Sequence, residues 1–91
     1  MHSIQKAPGA WYIEVLLESS YEDAQRYFPA AMAVLEQCPD GILMRCYVEH
    51  LSWVAHLLVT LRCPFVVRQP VELKAEIRKA VQHVLEQIER S

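Results

Sequence analysis

The chain has only two glycines, Gly9 and Gly41, among its 91 residues. A Gly-rich phosphate cradle needs several glycines in one short loop, so that class of nucleotide-binding enzyme is excluded. Cysteine is scarce and odd in number: Cys38, Cys46 and Cys63 share no Cys-x-x-Cys spacing. This argues against a disulfide framework and against a zinc site, and the three read as small core hydrophobes in a reducing compartment. There is no basic surplus, with nine Lys and Arg against eleven Asp and Glu and a net charge of −2. Phosphate contacts supply most of the affinity of a free-standing nucleic-acid binder, which therefore ordinarily carries such a surplus. No run of five like charges occurs, so there is neither a basic arm nor an acidic tail. The apolar stretches are too short to span a bilayer, and the first ten residues, MHSIQKAPGA, lack the apolar centre of a signal peptide. The expectation is a cytoplasmic domain with no membrane partner.

Apolar residues, by contrast, are plentiful at 53%, above the usual share for a small soluble domain. A chain this short forms one domain with a modest core. Part of the surplus is expected to lie against a partner, with a second copy of the chain as the first choice.

Residues 1–10, broken by Pro8-Gly9, read as a flexible lead-in or linker, and residues 11–91 as a single domain. Trp11 to Glu18 alternates, with Trp11, Ile13, Val15 and Leu17 on one face and Tyr12, Glu14, Leu16 and Glu18 on the other, which is strand periodicity. Ser19 with Glu22, or Ser20 with Asp23, resembles a capping box that opens a short helix from Tyr21 to about Phe28. Its apolar side holds Tyr21, Ala24 and Phe28, and Pro29 ends it. Ala31 to Cys38 and Ile42 to Glu49 read as strands joined by a turn at Pro39-Asp40-Gly41, since Asp and Gly both tolerate positive φ. A helix from Leu51 to Leu61 buries Leu51, Val54, Leu58 and Leu61, widened by Trp53 and Leu57. Phe65 to Gln69 is a short fourth strand. Pro70 opens a last helix with an apolar stripe of Leu73, Ile77, Ala80, Val84 and Ile88, broadened by Val81 and Leu85. The order strand, helix, strand, strand, helix, strand, helix makes two split β-α-β units on one antiparallel sheet. That is a ferredoxin-like α/β (α+β) sandwich, βαββαβ, with an added C-terminal helix. Helices cover one sheet face; the other, with apolar members such as Leu16 and Tyr47, needs cover from a partner or from the last helix.

From the hairpin onward the chain resembles the C-terminal extension (WCX) domain of bacterial WYL-domain transcriptional regulators. The features that carry the resemblance are the Asp40-Gly41 turn between alternating strands and the helix with Leu51, Trp53, Leu57, Leu58 and Leu61. Cys63-Pro64-Phe65-Val66-Val67 follows, and then Gln69-Pro70-Val71-Glu72-Leu73 at the start of an amphipathic helix. The resemblance implies a ferredoxin-like regulatory domain that follows a winged helix-turn-helix and a WYL domain, helps to form dimers and takes part in sensing a ligand, in some members a nucleic-acid fragment. No helix-turn-helix and no WYL domain lie in these residues, so promoter binding is not assigned to them. Members often place glycine at the end of the second helix, where Arg62 stands here; this bears on the loop conformation.

No catalytic set stands out. Ser52 lies near His50 and His56, but proximity in sequence does not make a nucleophile and base. His2, His50, His56 and His83 are not spaced as ligands on one helical face. An acylphosphatase-like reading wants an arginine in a phosphate loop after the first strand, and Leu17 to Tyr21 has none. An RNA-recognition reading wants more exposed aromatics than Tyr12 and Tyr47. The candidate ligand site is Arg45, Tyr47 and Arg68: two guanidinium groups near an aromatic ring can hold a phosphate or stack a base. The competing assignment pairs the two arginines with Glu14, Glu36 or Glu49 across strands. Trp11, Tyr12, Leu16, Val81 and Leu85 are the candidate interface residues.

The expected function is a non-catalytic regulatory domain that dimerises and senses an effector, with a nucleotide or oligonucleotide as the candidate, and with no cofactor and no metal. Its partners are a second copy and the DNA-binding and WYL domains of a parent regulator. The alternatives are a stand-alone interaction module docking through its sheet face or last helix, and a small enzyme on the same fold.

Overall fold

The computed structural model describes residues 10–91, so all but Ala10 of the expected lead-in lies outside the described residues. Seven elements follow in the expected order: β1 (Trp11–Leu17), α1 (Tyr21–Tyr27), β2 (Val34–Cys38), β3 (Gly41–Val48), α2 (Leu51–Val59), β4 (Phe65–Gln69) and α3 (Val71–Arg90). The strands form one antiparallel sheet in the order β2-β3-β1-β4. This is the ferredoxin-like arrangement with an added C-terminal helix.

Alternation decides which sheet face is buried. Ile13, Val15 and Leu17 of β1 and Ile42, Met44 and Cys46 of β3 point into the helical layer and are almost wholly buried. They meet Ala24 and Phe28 from α1, Leu51, Val54, Ala55 and Leu58 from α2, and Leu73 and Ala80 from α3 in one cluster. Burying a side chain the size of Phe28 contributes about 1.5–3 kcal/mol. The Cys46 thiol sits in this layer, and burial pushes its pKa up to about 11.

Local chemistry sets the element ends. The Ser20 hydroxyl accepts the Asp23 amide at 3.2 Å, so the second of the two capping pairs opens α1. Phe28, just before Pro29, closes it. β2 starts three residues later than its pattern suggests, because the Pro29 carbonyl accepts the amides of both Met32 and Ala33 and holds that stretch in a turn. Cys38 pairs with Gly41, leaving Pro39-Asp40 as a two-residue hairpin loop. Gly41 carries the positive φ, at 147°, and no described non-glycine residue has one. The expected left-handed role therefore falls on Gly41 alone and not on Asp40. At the end of α2, Thr60 stays in the right-handed region and its hydroxyl donates to the Leu57 carbonyl at 2.7 Å. Arg62 is thus not required to adopt the glycine-like conformation common in relatives.

Three expectations about burial are corrected. Tyr21 and Trp53, placed in buried stripes by periodicity, are 41% and 50% exposed. The face of α2 that meets the sheet is Leu51, Val54, Ala55 and Leu58, and Trp53 lies off it. The stripe of α3 is buried only as far as Ala80, and every residue from Val81 to Arg90 is exposed. Length explains this: α2 has nine residues and α3 twenty, about 14 and 30 Å at 1.5 Å per residue. Nor does α3 cover the second sheet face, since it packs along α2 and the edge strand β4 and so joins the helical layer. None of the described helices is long and apolar enough to cross a membrane.

Candidate functional site

The second sheet face carries the candidate site. Register brings its members together: Tyr12 pairs with Tyr47, Glu14 with Arg45, and Leu16 with Leu43. The Tyr12 and Tyr47 rings stack at 5.0 Å between centroids, tilted by 46°. Leu16 and Leu43 are buried, although they lie outside the core cluster between sheet and helices.

Glu14 is the hub of this face. The Tyr12 hydroxyl donates to its Oε2 at 2.8 Å and the Gln69 amide donates to its Oε1 at 3.1 Å. Arg45 Nε stands 3.5 Å from Oε2, and the other end of the guanidinium, Nη2, bonds Glu36 on β2. Arg45 thus bridges two carboxylates from the strands on either side of it, and its buried Nε has no hydrogen-bond acceptor of its own. The hydrogen bonds from Tyr12 and Gln69, ahead of the nearby arginines, hold the Glu14 carboxyl below its ordinary pKa. Burial, reinforced by the hydrogen bond to Glu14, pushes the Tyr12 phenol up to about 12.

Gln69 reaches this face through an irregularity in β4. Glu14 pairs with Gln69 and Val15 with Val67, so Arg68 is an extra residue in its strand. Strict alternation would have put Arg68 beside Glu14; the bulge puts Gln69 there instead. Arg68 is exposed, has no ion-pair partner among the described residues, and acts on Glu14 only through its field.

The structure therefore brings Tyr12, Arg45 and Tyr47 onto one surface, with Arg68 at its margin. Arg45 makes the carboxylate pairs that were its competing assignment. The sequence marks Glu14 only as a pairing partner for the arginines and does not mark Gln69 as a site residue. Of the expected interface residues, Leu16 is buried, Tyr12 half-buried, and Trp11, Val81 and Leu85 exposed.

Other concavities are chemically mixed. A cleft of about 510 Å³ at the far end of β1 is lined by Glu18, Ser19, Asp23, Arg26, Tyr27, Arg62 and Cys63. It offers both signs of charge, and Arg26 is already paired with Asp23. His56 Nδ1 lies 2.7 Å from the Ser52 backbone carbonyl, so that ring nitrogen does not activate the Ser52 hydroxyl. No group of three or more metal-ligating side chains converges among the described residues.

Fold and face together define a ferredoxin-like domain whose open sheet surface is wired by carboxylates, an arginine and paired tyrosines. The chain belongs to the WCX domain family, whose model matches residues 10–85. WCX domains are regulatory-associated domains of WYL-type regulators. Neither a curated protein nor a solved structure matches the chain.

Proposed function

We propose that this chain is a non-catalytic regulatory domain of a bacterial, cytoplasmic WYL-type transcriptional regulator, where it dimerises and senses an effector. The family match over residues 10–85 carries this reading. Its working partners are a second copy of the chain and the DNA-binding and WYL domains of the parent regulator.

The effector surface in this proposal is the Arg45, Tyr47 and Arg68 region, and its ligand is a nucleotide or short oligonucleotide. Two features support it: the Tyr12–Tyr47 ring pair lies two residues along the same strands from the Glu14–Arg45 pair, and Arg68, which has no ion-pair partner among the described residues, sits at the edge of the same surface. Arg45 is engaged at rest, so a phosphate binds by exchange. The exposed Glu36 carboxylate leaves Nη2, and the phosphate oxygen takes its place on the same donor. Glu14, held by Tyr12 and Gln69, stays. Such a ligand alters regulation only by favouring one arrangement of the paired domains over another.

The test is fluorescence anisotropy with labelled short oligonucleotides at two salt concentrations. Binding that weakens with salt and is lost in the Arg45→Ala, Arg68→Ala double variant supports the proposal. Affinity unchanged by that double substitution removes this surface as the effector site.

A further inference from the structure

The second half of α3 has no counterpart in the body of the domain. Val81, Val84, Leu85 and Ile88 are 42–62% exposed and lie at the spacing of one helical stripe. Val81 and Ile88 are seven residues apart, and so are Ile77 and Val84, which is the a/d spacing of a helix that packs on another helix. No charged residue interrupts the patch, as expected of an interface centre. These four apolar side chains form one contiguous exposed stripe, and a contiguous exposed apolar stripe marks an interaction surface.

The flanking charges say what partner suits it. The first half of α3, Val71 to Ala80, holds Lys74, Arg78 and Lys79 against Glu72 and Glu76; the second half, Val81 to Arg90, holds Glu86 and Glu89 against Arg90. One end is net positive and the other net negative. Lys79 is paired with Glu76, and Arg90 bonds Gln87. Arg78 and Glu89 are exposed and have no ion-pair partner among the described residues. They are eleven residues apart, three turns of helix to within about 20°, and so stand on the same flank of the stripe.

A helix with opposite charges at the two ends of an apolar stripe is complementary to itself reversed. We infer that the partner of this stripe is the same stripe of a second copy, antiparallel about a two-fold axis near Val84, with Arg78 of each copy beside Glu89 of the other. The macrodipoles of the two helices oppose in that arrangement, which favours it further. A parallel pairing carries the second copy's Arg78 and Glu89 to the opposite flank, where they form no such pair. The two-fold contact is closed, so it ends at a dimer. The patch is small against the roughly 1,200–2,000 Å² of a standard stable interface, so the contact is weak in the isolated domain. This inference deepens the dimerisation part of the proposed function and rests on it.

Analytical ultracentrifugation of the 91-residue chain over a range of concentrations tests it, with circular dichroism checking that each variant folds. Leu85 is exposed, so Leu85→Glu keeps the fold and loosens association by roughly a hundredfold. Arg78→Glu loosens it by about tenfold, the size expected of two exposed charge pairs turned repulsive, and the Arg78→Glu, Glu89→Arg double variant restores it. Failure of the charge reversal to restore association overturns the antiparallel geometry. A dimer indifferent to Leu85→Glu overturns the α3 contact while leaving the dimerisation reading standing. A chain that stays monomeric up to about 1 mM overturns both.

Discussion

The Cα of Gly41 packs so close to the backbone of Leu17 that a β-carbon there would lie 2.4 Å from the Leu17 carbonyl oxygen. No real β-carbon contact is that short, and both atoms belong to paired strands that cannot yield cheaply. With φ at 147°, Gly41 also occupies backbone space that side chains rarely enter. The hairpin loop and the centre of the sheet are thus joined at one position.

Gly41→Ala is accordingly a severe substitution. The expected loss is about 2–3 kcal/mol or more, combining backbone strain with displaced β1. Urea unfolding followed by circular dichroism measures it; a loss below about 0.5 kcal/mol would show that the β1–β3 end relaxes freely.

Phe28 is fully buried where α1 closes onto the sheet. Truncation to alanine leaves a cavity walled by strands and helices, with an expected cost of about 3–5 kcal/mol. The readout is again the unfolding midpoint, with the slope unchanged if only stability is affected.

Burial, followed by the hydrogen bond to Glu14, pushes the Tyr12 phenol up to about 12. The wild-type minus Tyr12→Phe difference in phenolate absorbance isolates it. Glu14→Gln removes the carboxylate bond and its charge but leaves the burial, so the midpoint falls below 12 and stays above the ordinary value near 10. A midpoint unmoved by Glu14→Gln would mean that burial alone raises it.

Glu14 links folding to acid. Its folded pKa lies below the unfolded one, so its contribution is present above the unfolded value near 4.3 and is lost as pH falls through the lower folded value. Unfolding free energy should therefore drop more between pH 5 and pH 3 in the wild type than in Glu14→Gln. Equal slopes for the two proteins would show that the network does not hold the carboxyl.

If anions bind by replacing Glu36 on Arg45, then Glu36→Gln removes the competitor. Oligonucleotide affinity should rise by about twofold to fivefold in the anisotropy assay, in step with the modest worth of an exposed ion pair. A fall would indicate that Glu36 helps to hold Arg45 in its binding position.

Much of the fold was legible because its signals are local. Alternation from Trp11, the Gly41 turn, the Ser20 cap and the prolines at 29, 64 and 70 each act within a few residues. The candidate site was only half legible. Arg45 and Tyr47 share a strand face that alternation reveals, whereas the Glu14–Gln69 bond spans 55 residues and depends on one extra residue in β4. Nothing in the local pattern of Phe65 to Gln69 announces that bulge. Periodicity likewise showed that α3 has an apolar face through Ile88. It did not show that the neighbouring helix stops short, because that depends on how two separate elements align in space.

The sheet order also has a consequence for biosynthesis. The first of the four strands of this sheet to be made, β1, ends up in its interior, paired with β3 on one side and β4 on the other. Its backbone groups must wait for residues 42–48 on one flank and 65–69 on the other to leave the ribosome. The β2–β3 hairpin, by contrast, can close as soon as residue 45 emerges. Closure of the sheet is therefore decided only when β4 arrives to complete a strand synthesised some fifty residues earlier.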